Sequence, residues 1–190
     1  MSGPGSKPAV FLDRDGTLNV ETDYLHRPED AVLFPGAAAA IARLNVAGVP
    51  VIVVTNQSGI GRGKYGWPEY QSVMERIGEL LALEGAHLDD ACACPYFEGA
   101  VGEYRHPDHQ DRKPNPGMLL KAAEKHRLDL KRSWMVGDKE CDLEAGRRAG
   151  CRTALVLTGY GRGVDPKLAD IVADDLAAAI DVILGMRDAP

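Results

Sequence analysis

The 190-residue sequence is poor in several things, and each shortage removes a class of explanation. Its four cysteines, Cys92, Cys94, Cys141 and Cys151, do not make the disulfide framework of a small secreted scaffold. Aromatic residues are 6% of the chain, and Trp67 and Tyr70, at helical spacing, read as packing rather than as a base-stacking platform. No basic block exists: 22 Lys and Arg face 28 Asp and Glu, a net charge of −6, which argues against nucleic acid or an anionic membrane surface as partner. No apolar run approaches the roughly 20 residues that cross a bilayer. The opening MSGPGSKPAV lacks the basic-then-apolar layout of a secretory leader and is expected to be a floppy tail over residues 1–7. Repeats, low-complexity tracts and interdomain linkers are absent too. The composition that remains, 45% hydrophobic and 26% charged, is that of a globular domain, here 8–190, expected to be cytoplasmic, reduced and monomeric.

What is present is an alternation of apolar strands and helices. Pro8 to Asp13 is a short apolar run ending in acid, and Val49 to Asn56 is β-branched, uncharged and stopped by polar residues. Ala91 to Tyr96, Ser133 to Val136 and Thr153 to Leu157 complete five expected strands. Between them lie expected helices at 37–47, 68–84, 116–126, 143–149 and 177–186, two of them closed by Gly48 and Gly150. This order predicts an α/β fold with a doubly wound parallel sheet covered on both faces. Glycines 59, 61 and 63 lack a following GK[ST] and read as a flexible loop, not a phosphate cradle. Cys141 and Cys151 read as small packing residues, and His26 and His126 as surface residues.

In such sheets ligands bind beyond the carboxyl ends of the strands, so the residues just after each strand carry the information. There stand Asp13 and Asp15, then Thr55, then Asp138 and Asp142, with Arg112 and Lys113 upstream of the 116–126 helix. Carboxylates spaced i, i+2 at a strand end do not serve a core, because unpaired buried charge is expensive. Adding Asp138 gives an excess of negative charge that a hard, oxygen-preferring cation such as Mg²⁺ would relieve. A cation flanked by Lys113, Arg112 and the Thr55 hydroxyl makes a receptacle for phosphate. One carboxylate could then attack phosphorus while its neighbour moves protons.

Four stretches in order, FLDRDGTLN, VVTNQSG, RKPNPGM and GDKECD, resemble the four motifs of the haloacid dehalogenase-like phosphatases, and the resemblance runs from about Ala9 to about Leu184. Within that superfamily the pattern is similar to the heptose-bisphosphate phosphatase branch, with the histidinol-phosphatase branch sharing much of it. The resemblance implies Asp13 as nucleophile and Asp15 as general acid and then base. It implies Mg²⁺ held by Asp13, the backbone carbonyl of Asp15 and Asp138, with Asp142 supporting from behind. Thr55, Arg112 and Lys113 would steady the transferring phosphoryl group. Glu21, Thr22, Asp23, Tyr24, Asn56, Gln57, Ser58 and Lys139 match the stretches that contact substrate, with Thr55, Arg112 and Lys113 again among them. The implied substrate is a small sugar phosphate.

The polar stretch between Gly16 and Pro35 and the loop from Pro95 to Lys113 are both too short for a separate cap domain, so an open site is expected. A second reading is a receiver-like domain that holds phosphate on an aspartate as a signal. Asp15 argues against it, since an acid beside the nucleophile serves turnover. The sequence departs from the heptose branch in one respect. Where that branch holds a structural zinc with a Cys-x-His and a Cys-x-Cys pair, this chain has Cys94, Tyr96, His109 and Asp111. A rearranged zinc set of Cys92, Cys94, His106 and His109 is the alternative, but i, i+2 cysteines on a strand stand nearly 7 Å apart. The expectation is a metal-free loop that shapes the entrance.

Overall fold

A computed structural model describes residues 6–187. Six strands form one fully parallel sheet in the order β3-β2-β1-β4-β5-β6. They are β1 Val10–Leu12, β2 Val51–Asn56, β3 Asp90–Cys94, β4 Trp134–Gly137, β5 Arg152–Val156 and β6 Ile171–Ala173. Six helices accompany them: α1 Ala37–Val46, α2 Ser58–Gly61, α3 Trp67–Ala82, α4 Gly117–His126, α5 Glu140–Ala149 and α6 Leu176–Arg187. This is the expected doubly wound architecture, with neither of the two long loops forming a domain of its own.

The period of two along a strand divides the core. Val10 and Leu12 of β1, with Val51 and Val53 of β2, point into one apolar layer beneath α1, α3 and α6, where Ile41, Ile77 and Ile180 lie. Phe11, Ile52 and Met135 point the other way, against Met118 and Leu119 of α4 and Ala145 of α5. Because both faces are covered, the central strands are apolar throughout, which is why they read as continuous runs.

Three features differ from the sequence reading. A sixth strand exists: β6 pairs with β5, anchored where Asp170 accepts from the Thr153 N–H (2.7 Å) and hydroxyl (3.0 Å). The first of the three glycines expected in a loop lies inside a short helix, α2, which Gly61 ends. Of the expected tail, residues 1–5 fall outside the described residues, whereas Lys7 bridges to Leu128 and the Ser6 carbonyl accepts from Arg132 at 2.7 Å. The ordered chain therefore begins before position 8. No helix among the described residues is long and apolar enough to cross a membrane.

The strand order fixes the site. From β1 the chain winds outward through β2 to β3, then returns to place β4 on the other side of β1. Beyond the carboxyl ends of β1, β2 and β4 the loops diverge, and a crevice opens there.

Candidate active site

The crevice is an open cleft of about 490 Å³. Asp13 follows β1, Thr55 lies in β2, Asp138 follows β4, and Lys113 enters from the loop before α4. The Lys113 ammonium is buried, 2.7 Å from Asp13 Oδ1, 2.7 Å from Asp142 Oδ1, and donating to the Val54 carbonyl at 2.7 Å. Burial alone would discharge this lysine; the carboxylates of Asp13 and Asp142 overcome that and hold its pKa well above the ordinary lysine value. Asp142 also accepts from the Lys139 N–H (3.0 Å), which caps α5 and ties the acid to the turn after β4. Burial raises the pKa of Asp142.

Asp13, Asp138 and Asp142 bring carboxylate oxygens within 4.8 Å of one another, the one convergence of three metal-ligand types among the described residues. Asp142 is already engaged by Lys113 and the α5 cap. Asp138 is different: it is fully buried, its Oδ2 accepts from the Tyr160 N–H at 2.8 Å, and its Oδ1 has no hydrogen-bond partner. Burial pushes its pKa up to about 7, the charges of Asp13 and Asp142 add to the rise, and Lys139 and the Tyr160 N–H oppose it. A buried carboxylate oxygen with no hydrogen bond, approached only by Lys139 Nζ at 3.8 Å and set beside a second carboxylate, fits a hard divalent cation bound by oxygen alone. The Asp15 carbonyl faces the same space, accepting a long bond from Lys139 Nζ at 3.4 Å. Lys139 also lies 3.4 Å from Glu21 and 3.8 Å from Asp138, and against the opposing effect of burial the charges of Asp13, Asp138 and Glu21 raise its pKa.

The Asp15 side chain, which also borders the cleft, is held by a set of donors of its own. It receives Arg14 Nε (3.0 Å) and Nη2 (2.8 Å), Asn19 Nδ2 (3.0 Å) and Gln57 Nε2 (3.1 Å). Burial would raise its pKa, but Arg14 outweighs burial and the carboxyl is held below the ordinary aspartate value. Arg14 itself is completely buried, with its guanidinium over the Tyr70 ring at 5.5 Å.

Of the residues read from sequence, the cleft is lined by Asp13, Asp15, Glu21, Asp23, Tyr24, Thr55, Asn56, Gln57, Ser58, Arg112, Lys113, Lys139 and Asp142, with Asp138 buried beside Asp13 and Asp142. Asp23 and Tyr24 both take left-handed backbone, φ 41° and 67°, turning the loop so that Tyr24 faces the cleft. Thr22 is not brought in; it is exposed and faces a neighbouring hollow. Asn56 and Gln57 border the cleft, but their amides are spent inside the protein. Asn56 pairs with the Lys113 backbone, and Gln57 with Asp15, Thr55 and Tyr65. The Arg112 guanidinium lies over the Phe97 ring, donates to the Tyr96 carbonyl at 3.2 Å, and has no carboxylate partner among the described residues.

Several contributors escaped the sequence reading. Arg14 sat inside a quoted motif as a variable position. Thr158, Gly159 and Tyr160 follow β5, a strand end that the same crevice rule would have singled out. Thr158 Oγ1 donates to the Gly16 carbonyl at 2.6 Å, and Tyr160 borders the cleft. Cys141 also reaches the cleft, but burial pushes its thiol up to about 12, so it stays protonated. His126 is not a lone surface residue: its Nε2 lies 2.7 Å from Asp90.

In the loop before Lys113, side chains pack on one another and on the backbone. Tyr96 stacks on His109 (ring centroids 4.0 Å apart), and Nδ1 of His109 and His106 accept backbone N–H groups of Asp111 and Asp108. Lys121 pairs with Asp111 at 2.5 Å. Burial pushes the Cys92 and Cys94 thiols up.

Known proteins resemble this chain over most of its length. A HAD-hydrolase-like family model matches residues 110–179. The D-glycero-beta-D-manno-heptose-1,7-bisphosphate 7-phosphatase of Mesorhizobium japonicum is 48% identical over 95% of this chain and 85% of its own. The enzyme of that name from Escherichia coli K12 is 39% identical over 90% and 91%. Among solved structures, the D,D-heptose 1,7-bisphosphate phosphatase of B. bronchiseptica, complexed with magnesium and phosphate, superposes with a TM-score of 0.83. It is 34% identical, over 94% of this chain and 99% of that one.

Proposed function

We propose, from the premise that this chain belongs to the haloacid dehalogenase-like phosphatases and within them to the heptose-1,7-bisphosphate 7-phosphatases, that it removes the 7-phosphate of D-glycero-D-manno-heptose 1,7-bisphosphate. The observation that carries the reading is the buried Asp13–Lys113–Asp142 group set beside the unpartnered Asp138 oxygen at one end of an open cleft.

In this reading Lys113 fixes one oxygen of Asp13 and leaves the other for in-line attack on phosphorus. Asp15 protonates the departing sugar oxygen, then takes the proton of the water that hydrolyses the aspartyl-phosphate. A pKa held down by Arg14 makes the protonated form scarce but a strong donor, and leaves the carboxylate ready as base in the second step. Asp13, Asp138 and the Asp15 carbonyl would hold Mg²⁺, with Asp142 behind them. When bound, the cation offsets the negative charge of the site and of the phosphoryl oxygens. Thr55, Lys113 and Arg112 face the transferring group, and Arg112, lacking a carboxylate, is free to meet a phosphate. Glu21, Asp23, Tyr24, Ser58 and Lys139 are positioned to contact the sugar.

We take the described residues, 6–187, as one catalytic domain, cytoplasmic and monomeric, with the 95–113 loop free of zinc and with neither nucleic acid nor membrane as partner. The experiment is phosphate release across heptose bisphosphate, histidinol phosphate and hexose phosphates, with and without Mg²⁺. The expected result is Mg²⁺-dependent release with kcat/KM for the heptose bisphosphate about a hundredfold above the others, and none from Asp13→Asn. Preference for histidinol phosphate would overturn the substrate, and full turnover by Asp13→Asn would overturn the covalent step.

A further inference from the structure

Gln57 occupies a decisive place beside Asp15. It is 2% exposed, and its Nε2 gives one hydrogen to Asp15 Oδ2 (3.1 Å) and the other to Thr55 Oγ1 (2.9 Å). An amide can present either end, and with Oε1 turned inward it would face the Asp15 carboxylate with a second acceptor. What selects the donor end is Tyr65, whose buried hydroxyl donates to Gln57 Oε1 at 2.5 Å.

Tyr65 is itself held from the entrance of the cleft. Its ring lies against Gly59, where a Cβ would stand 2.1 Å from Tyr65 Cε1 and 2.9 Å from Tyr24 Cδ1, so both rings need the bare backbone. The other face stacks on His26 at 5.7 Å with an interplanar angle of 11°. His26 Nδ1 in turn lies 2.8 Å from the Tyr24 carbonyl, within the loop that borders the cleft. A continuous set of contacts therefore runs from the 21–26 loop through His26, Tyr65 and Gln57 to Asp15.

We propose that Tyr65, acting through Gln57, is a positioning residue that aims the Asp15 carboxyl at the ester oxygen, and that the Tyr24–His26 turn seats it. The inference rests on the assignment of Asp15 as proton donor. In the step concerned, an Asp13 oxygen bonds to phosphorus while the ester P–O bond breaks. The bonding pair leaves on the ester oxygen, which takes the Asp15 proton. The polar and charged side chains facing that carboxyl are Arg14, Asn19 and Gln57, with Glu21 and Lys139 across the cleft.

A good leaving group departs without a proton and a poor one does not, so the test is a series of aryl phosphates of equal size and graded leaving-group acidity. The quantity measured is kcat/KM of the Mg²⁺-loaded enzyme, which reports the step up to phenol departure. Tyr65→Phe should lose about 10- to 50-fold on the poorest leaving groups and about twofold on the best, steepening the dependence on leaving-group acidity. Gln57→Met, which keeps the side-chain volume, is the second variant and should steepen it likewise. A residue that only supports the fold or binds the sugar would displace the line in parallel. Parallel displacement in both variants, or no change, overturns the proposal. Asp15→Asn separates the two failures: if it does not steepen the line, the assignment of Asp15 is wrong; if it does and the other two do not, the positioning role is wrong.

Discussion

The side-chain amide of Asn56 closes a two-bond ring with the backbone of Lys113: its Nδ2 donates to the Lys113 carbonyl and its Oδ1 accepts the Lys113 N–H, each at 3.0 Å. This pair joins the end of β2 to the loop before α4 and sets where the Lys113 stem starts toward Asp13. Asn56→Asp should keep the N–H bond but set a carboxylate oxygen against the Lys113 carbonyl. The expected cost is about 1–3 kcal/mol in urea unfolding and a fall of about 10- to 100-fold in kcat.

Lys113 neutralises two buried acids at once. Lys113→Ala leaves Asp13 and Asp142 facing each other without a cation, so loss of turnover should come with destabilisation of about 3–5 kcal/mol. Comparing urea midpoints of the variant at pH 5 and pH 8 checks the cause: a proton taken up by the acid pair should make the defect smaller at pH 5.

Gly159 (φ 50°) and Gly16 (φ 90°) pack against Asp138, each so close that a Cβ would stand 2.2 Å from Asp138 Oδ2. Gly159→Ala combines an unfavourable backbone with this clash. It should lower Mg²⁺ affinity at least tenfold, measured as the Mg²⁺ concentration for half-maximal phosphate release. Unchanged Mg²⁺ dependence would show that Asp138 does not hold the cation.

The raised pKa of Asp138 makes metal-free stability fall with pH. The native carboxyl keeps its proton up to about pH 7, whereas the unfolded one ionises near 3.8. The native state thus binds more protons across that window, and stability declines by up to about 4 kcal/mol as pH rises through it. A cation that binds the ionised native site offsets this loss. Added Mg²⁺ should raise the melting temperature more at pH 8 than at pH 5; an equal rise at both would be contrary to this.

The loop before Lys113 is stapled by the Tyr96–His109 stack and the Lys121–Asp111 pair. Chelator treatment should leave the melting temperature within about 1 °C, whereas Tyr96→Ala should lower it by several degrees. Near-stoichiometric zinc in protein purified without added metal would contradict this.

The sequence by itself determined the alternation of strands and helices, because each central strand is covered on both faces and must be apolar along its whole length. It also pointed to Asp13, Asp15, Thr55 and Asp138, since the crevice rule singles out strand ends that are legible one at a time, and to Lys113 through the RKPNPGM stretch. It did not disclose β6, whose apolar run, Ile171–Ala173, is only three residues long and is placed by pairing with β5 and by Asp170 bonding with Thr153. Nor could it tell that Asn56 and Gln57 face inward as braces while Tyr24 faces the cleft, or that Gly159 is the floor under Asp138. Those outcomes depend on which side chains meet across 8 to 57 positions of chain, and on two left-handed residues that point one loop at the cleft. Local periodicity records which residues are buried; only the assembled sheet, by fixing where distant loops converge, decides which polar groups that burial brings together.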